Sequence, residues 1–246
     1  MKFVTVVTTT PDYWTPFRVL VWSMGERGQL KGLDWHVLWV QDPPKDAAEI
    51  IEKCGFNPIF HSIHDFPAPP DFPYAKAHLG PSRYKLLSWL LEPDDTYCYI
   101  DADMVCLRDA REFLDVRPFA AMRRPGVTGF CGGLMFFKPD EKVFNYIKED
   151  ITPRRKWELS DQDVLNEYYT KEHPEMMTRL PWRFNTSKRE EKRQSHWSTL
   201  LSEAIVLHYH GRHKPWLRRE MGYSESHQAW HTANILFRRA MGWSDE

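Results

Sequence analysis

Short apolar segments alternate with segments of helical spacing, and this alternation constrains the fold of the chain more than any other feature. Seven apolar runs of strand length occupy 3–7, 36–40, 58–60, 96–100, 119–122, 134–137 and 205–209. Between several of them, apolar residues recur every three to four positions, at 17–24, 46–53, 82–91 and 161–169. Strands and helices that alternate early in a chain form a largely parallel sheet covered on both faces. We therefore expect an α/β fold whose mixed, mainly parallel central sheet is flanked by helices.

The 246 residues contain no internal repeat and no linker, which predicts one domain spanning 1–246. Five prolines between Phe66 and Pro81 predict an irregular but structured loop. The mixed-charge run at 187–194 is typical of a solvated helix face or loop. A C-terminal helix is predicted at about 225–241, where apolar residues recur at helical intervals. Its apolar face packs on the core or contacts a membrane surface.

Bulk composition excludes some functions. Lys and Arg total 33 against 34 Asp and Glu, which argues against broad electrostatic binding of nucleic acid. No stretch approaches the ~20 apolar residues of a membrane-spanning helix, and the first apolar run is too short for a signal-peptide core. The four cysteines lack CxxC spacing and are expected to be reduced, structural thiols. These features predict a cytoplasmic protein that works in solution or at a membrane surface.

Two aspartates close the fourth apolar run, in the stretch YIDADMVCLRD. Residues two apart in a strand project to the same side, so Asp101 and Asp103 can share one cation while Ala102 points away. Two hard oxygen donors suit Mg²⁺ or Mn²⁺, whose coordination is usually completed by phosphate oxygens. The same carboxylates could instead close the strand and cap the next turn. They also resemble the nucleophile motif of haloacid-dehalogenase-type phosphatases, although that motif normally lies on the first strand.

A histidine-rich stretch, LHYHGRHKPW, follows the last apolar run. His208 at the strand end can complete a metal shell, and its neutral imidazole favours Mn²⁺ over Mg²⁺. Gly211 would let the backbone approach a phosphate, and Lys214 would supply the positive charge that a diphosphate leaving group needs. His210 and His213, each taken alone, are interpreted as surface or hydrogen-bonded core histidines.

Two further stretches are informative only in combination. GFCGGLMFFKPD places three glycines before an apolar run, which predicts a tight turn or a close approach of the backbone to another group. SDQDVLN offers Ser160 as a helix N-cap with acidic residues in the first turn. Either stretch is also compatible with ordinary structure.

Together and in this order, the motifs resemble retaining glycosyltransferases of family 8, the group that includes glycogenin and bacterial lipopolysaccharide galactosyl- and glucosyltransferases. The resemblance runs from FVTVVTTTPDYW through SRYKLLSWLL, YIDADMVCLRD, GFCGGLMFFKP and SDQDVLN to HYHGRHKPW. It implies a single Rossmann-like GT-A domain that binds a nucleotide-diphosphate sugar, usually UDP-linked, with Mn²⁺ and keeps the anomeric configuration of the donor. Mg²⁺ is the second candidate ion.

The resemblance assigns roles to individual residues. Asp101, Asp103 and His208 would hold the metal, and Gly211 and Lys214 would hold the diphosphate. The remaining donor-binding positions are Thr8, Thr10 and Tyr13 for the nucleotide, Lys85 and Ala102 beside the aspartate pair, and Cys131, Gly132 and Gly133 for the sugar.

One departure concerns the sugar site. Relatives usually carry Asn-Ser-Gly or Asn-Ala-Gly where this chain has Cys131, Gly132 and Gly133, so the sugar is not assigned. Asp161 and Gln162 match the pair that faces the anomeric carbon and the acceptor. Because Gln162 is a poor nucleophile, we expect same-face attack, with both side chains stabilising charge on the sugar ring.

The implied function is transfer of a hexose or related sugar from a UDP-sugar to a glycan, lipid or protein acceptor. The nucleotide-binding part would span about 1–110 and the acceptor and catalytic part about 111–216. The alternatives are a metal-dependent phosphatase and a non-catalytic carbohydrate-binding module, because the chain has 11 Trp and 10 Tyr. A binding module, however, has no need of a metal site and a lysine together.

Overall fold

A seven-stranded sheet forms the centre of the computed structural model, which describes residues 1–69, 77–123, 129–154, 160–211, 213–217 and 224–244. The strands of the chain are β1 (Lys2–Val7), β2 (Asp34–Trp39), β3 (Asn57–Ser62), β4 (Tyr97–Ile100), β5 (Met104–Cys106), β6 (Ala120–Arg123), β7 (Phe130–Phe137), β8 (Thr178–Leu180), β9 (Thr186–Ser187) and β10 (Val206–His208). The large sheet has the order β3-β2-β1-β4-β7-β6-β8. Strands β3, β2, β1 and β4 run parallel, whereas β7 is antiparallel to both of its neighbours. The predicted mixed, mainly parallel sheet is confirmed.

Helices cover the sheet. The α-helices are α1 (Pro11–Glu26), α2 (Ala47–Lys53), α3 (Glu141–Tyr146), α4 (Thr152–Arg154), α5 (Asp161–Glu167), α6 (Trp197–Glu203) and α7 (Glu225–Ala240). The 3-10 helices are Ile63–Asp65, Ala77–Leu90, Arg111–Asp115, Pro174–Met176, Trp182–Phe184 and Lys188–Lys192, and the π-helical turns are Ile147–Ile151 and Tyr168–Glu172.

Both faces of the sheet are buried, which explains why the strands read as continuous apolar runs. Along β4, Tyr97 and Tyr99 pack in one apolar cluster, while Cys98 and Ile100 pack in the cluster on the opposite face. Successive side chains of a strand point to opposite faces, so a strand buried on both faces is mostly apolar along its whole length.

A second, three-stranded sheet joins distant parts of the chain, in the order β5-β10-β9. Strand β10 is antiparallel to β5, with His208 opposite Met104, and parallel to β9, with His208 beside Ser187. The Tyr209 amide donates to the Asp103 carbonyl at 2.9 Å. This small sheet therefore places the histidine-rich stretch next to the aspartate pair.

Three predicted elements differ in detail. The helix expected at 82–91 is a 3-10 helix that begins at Ala77, so the irregular loop predicted between Phe66 and Pro81 is too long at its C-terminal end. Proline fixes φ near the helical value, and proline count alone overestimates irregularity. Positions 70–76 of that loop lie outside the described residues. The glycines of GFCGGL lie in or just before β7 rather than in a separate turn.

The C-terminal helix is confirmed at α7, and its apolar face is part of the core. Trp230, Ala233 and Phe237 are at most 2% exposed and belong to the same cluster as residues of α1. Core packing therefore accounts for the apolar spacing. In the part of the chain that the structure covers, no helix is both long enough and apolar enough to cross a bilayer.

Candidate active site

Asp101, Asp103 and His208 converge at the carboxyl end of β4. The His208 Nε2 atom lies 3.2 Å from Asp103 Oδ1 and 3.8 Å from Asp101 Oδ2. One ligand atom from each of the three side chains lies within 4.8 Å of the others. Ala102, between the aspartates, is buried at 4% exposure, but residues 101–103 form the turn between β4 and β5 rather than part of the strand that the two-residue period assumes. Two carboxylates and one imidazole at this spacing fit a divalent cation such as Mn²⁺.

His208 is oriented by a residue that the sequence patterns did not single out. The imidazole Nδ1 lies 3.0 Å from the Asn185 side-chain oxygen, and Asn185 is fully buried just before β9. Because that oxygen accepts a hydrogen bond, Nδ1 carries a proton and Nε2 is the ring atom that faces the carboxylates. Only the pairing of β9 with β10 brings Asn185 next to His208.

Asp103 is held in its ionised form. Burial alone would raise the pKa of Asp103, but Lys214 and His208 outweigh it and hold that pKa well below its ordinary value. Lys214 donates to Asp103 and to the Tyr209 carbonyl. His208 responds in the opposite direction, since burial would lower its pKa but the Asp103 charge raises it to about 9. In the absence of a metal, the site is a network of ion pairs.

Lys85 is a buried cation between two carboxylates. Its Nζ donates to the Gly132 carbonyl at 2.8 Å and lies 3.3 Å from Asp101 and 3.1 Å from Asp161. Burial would lower the pKa of Lys85, but the two carboxylates raise it well above its ordinary value. Burial also raises the pKa of Asp101, against the opposing charge of Lys85. Lys85 therefore links the metal-site candidates to the predicted catalytic pair.

Asp161 and Gln162 lie in the first turn of α5, against β7. The predicted cap at Ser160 is present as a capping box with Asp163. Ser82 donates to Asp161 at 2.6 Å, and the Gln162 side-chain oxygen accepts from the Gly132 amide at 3.1 Å. The start of this helix is thus fixed to the strand that carries the three predicted sugar-site positions.

Gly132 and Gly133 allow close approach to β7. A Cβ on Gly133 would lie 2.3 Å from His208 Cε1, which is closer than non-bonded carbon atoms approach. A Cβ on Gly132 would lie 3.5 Å from Gln162, an ordinary contact. The glycine-rich stretch therefore does bring the backbone close to another group, and at Gly133 that group is the imidazole of His208.

Cys131 and His210 lie on the other side of His208. The Cys131 Sγ atom is 3.4 Å from His210 Nε2, and the His208 and His210 ring centroids are 3.6 Å apart. Burial would raise the pKa of Cys131, but a hydrogen bond with His208 and its charge lower it. Burial and the neighbouring His208 lower the pKa of His210 to about 2. His210 is thus a hydrogen-bonded, largely buried histidine, one of the two interpretations left open by the sequence.

The predicted nucleotide-binding residues follow β1, at the sheet edge where β4 also ends. Thr8 is buried and its hydroxyl lies 2.9 Å from that of Thr10, which precedes α1. Tyr13, in the first turn of α1, is 39% exposed. These positions share one edge of the parallel strands with the aspartate pair, where ligands gather in open α/β sheets.

The charged run after β9 contributes cations that the sequence assigned to solvent. Lys188 is half-buried, and its Nζ has no hydrogen-bond partner among the described residues. Burial and then the Lys214 charge lower the pKa of Lys188 to about 8. Arg189 lies beside Gly211, whose φ of +82° requires glycine, and a Cβ there would be 3.1 Å from Arg189 Nη2. The charges of Lys214 and Arg189 both act on Lys188, so these three cations form one cluster, and Arg189 places it beside Gly211.

Comparison with known proteins finds glycosyltransferases similar to this chain. Residues 125–220 match the family model Glycosyl transferase family 8. A putative UDP-glucuronate:xylan alpha-glucuronosyltransferase 3 of Arabidopsis thaliana is 28% identical over 166 residues, which are 61% of this chain and 26% of that protein. Human glycogenin-2 is 26% identical over 144 residues, which are 57% of this chain and 29% of that protein. The chain thus spans about a quarter of the length of these curated relatives.

Solved structures establish the fold. The galactosyltransferase LgtC, in complex with donor and acceptor sugar analogs, aligns with a TM-score of 0.70 at 17% identity and covers 96% of each chain. The glycosyltransferase GlyE of Streptococcus pneumoniae aligns with a TM-score of 0.71 at 14% identity, covering 98% of this chain and 63% of that one. The predicted GT-A fold is confirmed.

Proposed function

We propose that this chain, a relative of glycosyltransferase family 8, transfers a sugar from a nucleotide-sugar donor to an acceptor. One observation carries the proposal. Asp101, Asp103 and His208 meet at the end of the parallel strands, and the Lys214 ammonium forms an ion pair with Asp103. A diphosphate leaving group requires compensating positive charge, which a bound metal ion and a neighbouring lysine would supply together.

We infer that the donor is UDP-linked and that the cation is Mn²⁺. The two matching Arabidopsis proteins are both named for UDP-glucuronate, and the imidazole in the donor set favours Mn²⁺ over Mg²⁺. Bound between the aspartates, the ion would neutralise charge on the diphosphate. Thr8, Thr10 and Tyr13 would contact the nucleotide at the same sheet edge.

The side chains around Gly211 would stabilise the departing diphosphate. Breaking a glycosyl-phosphate bond leaves negative charge on the phosphate and positive charge on the sugar ring. Lys214 would donate to the leaving oxygens. We include Lys188 and Arg189 in this role because the buried Lys188 ammonium lies over the Tyr209 ring at 5.9 Å but has no hydrogen-bond partner among the described residues, and Arg189 flanks Gly211. A buried, unpaired ammonium is costly unless a ligand compensates it.

Retention by same-face attack fits the surroundings of Asp161. One oxygen of Asp161 accepts from Ser82 at 2.6 Å and the other lies 3.1 Å from Lys85. A carboxylate with both oxygens engaged is a weak nucleophile, but it still stabilises positive charge nearby. In this mechanism the bond from the sugar to phosphate breaks, the acceptor oxygen attacks the same face, and the departing phosphate oxygen takes the acceptor proton.

The remaining assignments are also proposals. The acceptor is a glycan, glycolipid or protein, and the reaction takes place in the cytoplasm. The exposed side of α7, which includes Ile235 and Leu236, is where membrane contact would occur. The donor-binding part of a single domain would comprise about 1–110, and the acceptor and catalytic part about 111–216.

Calorimetry and a UDP-release assay test the proposal. UDP should bind only with Mn²⁺ present, and one of UDP-glucose, UDP-galactose, UDP-glucuronate or UDP-xylose should be hydrolysed slowly and used faster with an acceptor. Asp103→Asn should abolish turnover, whereas Asp109→Asn should not, because Asp109 is an exposed carboxylate paired with Arg111. Normal turnover by Asp103→Asn would refute the metal site. Hydrolysis of simple phosphoesters without UDP binding would indicate a phosphatase, and sugar binding without either activity would indicate a binding module.

A further inference from the structure

A second set of metal-ligating side chains adjoins the first. Cys131, His208 and His210 each offer one ligand atom within 4.8 Å of the others. This set replaces carboxylate oxygens with a thiolate sulfur and a second imidazole nitrogen. Ligand type determines which ions a site prefers, and a thiolate with two imidazoles suits Zn²⁺ rather than Mn²⁺ or Mg²⁺.

The spacing fits a tetrahedral ion. Zinc lies about 2.3 Å from sulfur and about 2.0–2.1 Å from nitrogen, which places two tetrahedral ligands of these types about 3.5 Å apart. Cys131 Sγ and His210 Nε2 are 3.4 Å apart. The His208 and His210 rings are in contact, with their centroids 3.6 Å apart.

Both imidazoles are held in the orientation that ligation needs. Asn185 Oδ1 lies 3.0 Å from His208 Nδ1, and Ser187 Oγ lies 3.4 Å from His210 Nδ1. An oxygen on Nδ1 leaves Nε2 as the ligand atom, which is the usual arrangement around bound zinc. The two oxygens come from Asn185, just before β9, and Ser187, within it, and the two histidines lie at the end of β10 and two residues beyond it. This repeated spacing gives the second set its own outer shell.

We propose that Cys131, His208 and His210 form a binding site for a thiophilic divalent ion such as Zn²⁺, which competes with Mn²⁺ because both ions require His208 Nε2. Occupation by Zn²⁺ removes the imidazole from Asp101 and Asp103 and covers the position where the family resemblance places the donor sugar. The ion therefore inhibits the transferase. The binding site itself does not depend on the proposed activity.

Cobalt spectroscopy tests the site without an activity assay. Co²⁺ added to the full chain should give a near-ultraviolet thiolate-to-cobalt charge-transfer band, which stoichiometric Zn²⁺ should remove. Cys131→Ser should lose the band, and His210→Gln should weaken Co²⁺ binding at least about tenfold. Cys54→Ser should keep it, because Cys54 is a buried thiol outside this cluster. Circular dichroism would check that each variant is folded.

Two results would overturn the proposal. The first is a wild-type Co²⁺ spectrum without a thiolate band, which needs no variant to interpret. The second is a band that disappears in Asp103→Asn while the protein stays folded, since this would place the ion between the aspartates.

Competition gives a further criterion. Zn²⁺ should displace Mn²⁺, measured by electron paramagnetic resonance, at a concentration at least about tenfold lower in the wild type than in Cys131→Ser. Equal displacement in both proteins would also refute the site, and every one of these outcomes is independent of UDP binding.

Discussion

Replacing Gly133 with alanine should damage the metal site through a single added carbon. The new Cβ would lie 2.3 Å from His208 Cε1 and 2.8 Å from both His208 Nδ1 and Met104 Cε. Carbon atoms in contact are about 3.5–4.0 Å apart, so the imidazole must move by roughly 1 Å or more. Its Nδ1 is fixed to Asn185, and movement on that scale breaks the hydrogen bond. The backbone of Gly133 is in β7 and needs no left-handed conformation, so the effect is steric alone.

The magnitude follows from two costs. Overpacking a buried site destabilises a protein by about 1–3 kcal/mol. Disturbing the group that orients a metal-ligating histidine costs about 10–100-fold in metal affinity. We therefore expect Gly133→Ala to lower the free energy of unfolding by about 1–3 kcal/mol and to weaken Mn²⁺ binding by at least about tenfold.

Gly132→Ala is the matched control. Its Cβ would meet Gln162 Cγ at 3.5 Å and Lys85 Nζ at 3.7 Å, which are ordinary contacts. A glycine-to-alanine change without strain stabilises by about 0.4–1 kcal/mol, because it restricts the unfolded chain. Urea unfolding followed by circular dichroism measures the stability of both variants, and calorimetry measures their affinity for Mn²⁺. Equal stability and equal Mn²⁺ affinity in the two variants would refute the reasoning.

Three further predictions concern the surroundings of the site. Asn185→Ala should weaken Mn²⁺ binding about 10–100-fold in calorimetry, because the orienting partner of His208 is lost, and an unchanged Kd would contradict this. Mn²⁺ affinity should rise about tenfold per pH unit from pH 7 and level off near pH 9, because ligation requires neutral His208, whose pKa is about 9 without metal. In the protein without metal, the raised pKa of His208 stabilises the folded state at lower pH. This stabilisation is lost as the pH rises through about 9. Lys188→Ala should weaken UDP binding about tenfold, whereas Lys192→Ala, which alters an exposed lysine of the same 3-10 helix, should leave the Kd unchanged.

The strands and the order of the motifs could be predicted because both depend on local patterns. Apolar runs identify strands buried on both faces, and Asp101 follows directly after one of them, although residues 101–103 form a turn and not the strand that the two-residue period assumed. His208 and Lys214 were identified by a resemblance that fixes their order along the chain. The structure brings these residues together as that order implies.

The residues that were missed depend on tertiary pairing. Asn185 and Lys188 become significant only because β9 lies beside β10, and a two-residue strand leaves almost no sequence signal. The charged run after β9 alternates in sign and therefore looks like a solvated surface, but its first lysine has a buried ammonium. The long 3-10 helix at Ala77–Leu90 begins earlier than the sequence predicts, because proline fixes φ near the helical value and does not by itself make the backbone irregular.

The short strands β9 and β10 also explain why one family-like metal site comes with a second set of ligands. The segment that enters β9 places Asn185 on His208, at the end of β10, and Ser187 on His210, two residues beyond it. The segment that orients the first imidazole therefore orients the second as well. The ion that the site prefers then depends on the residue of β7 that faces the two histidines. The family usually carries asparagine at this position. Because this chain carries Cys131, the geometry that prepares a histidine for Mn²⁺ also prepares a site for an ion that prefers sulfur.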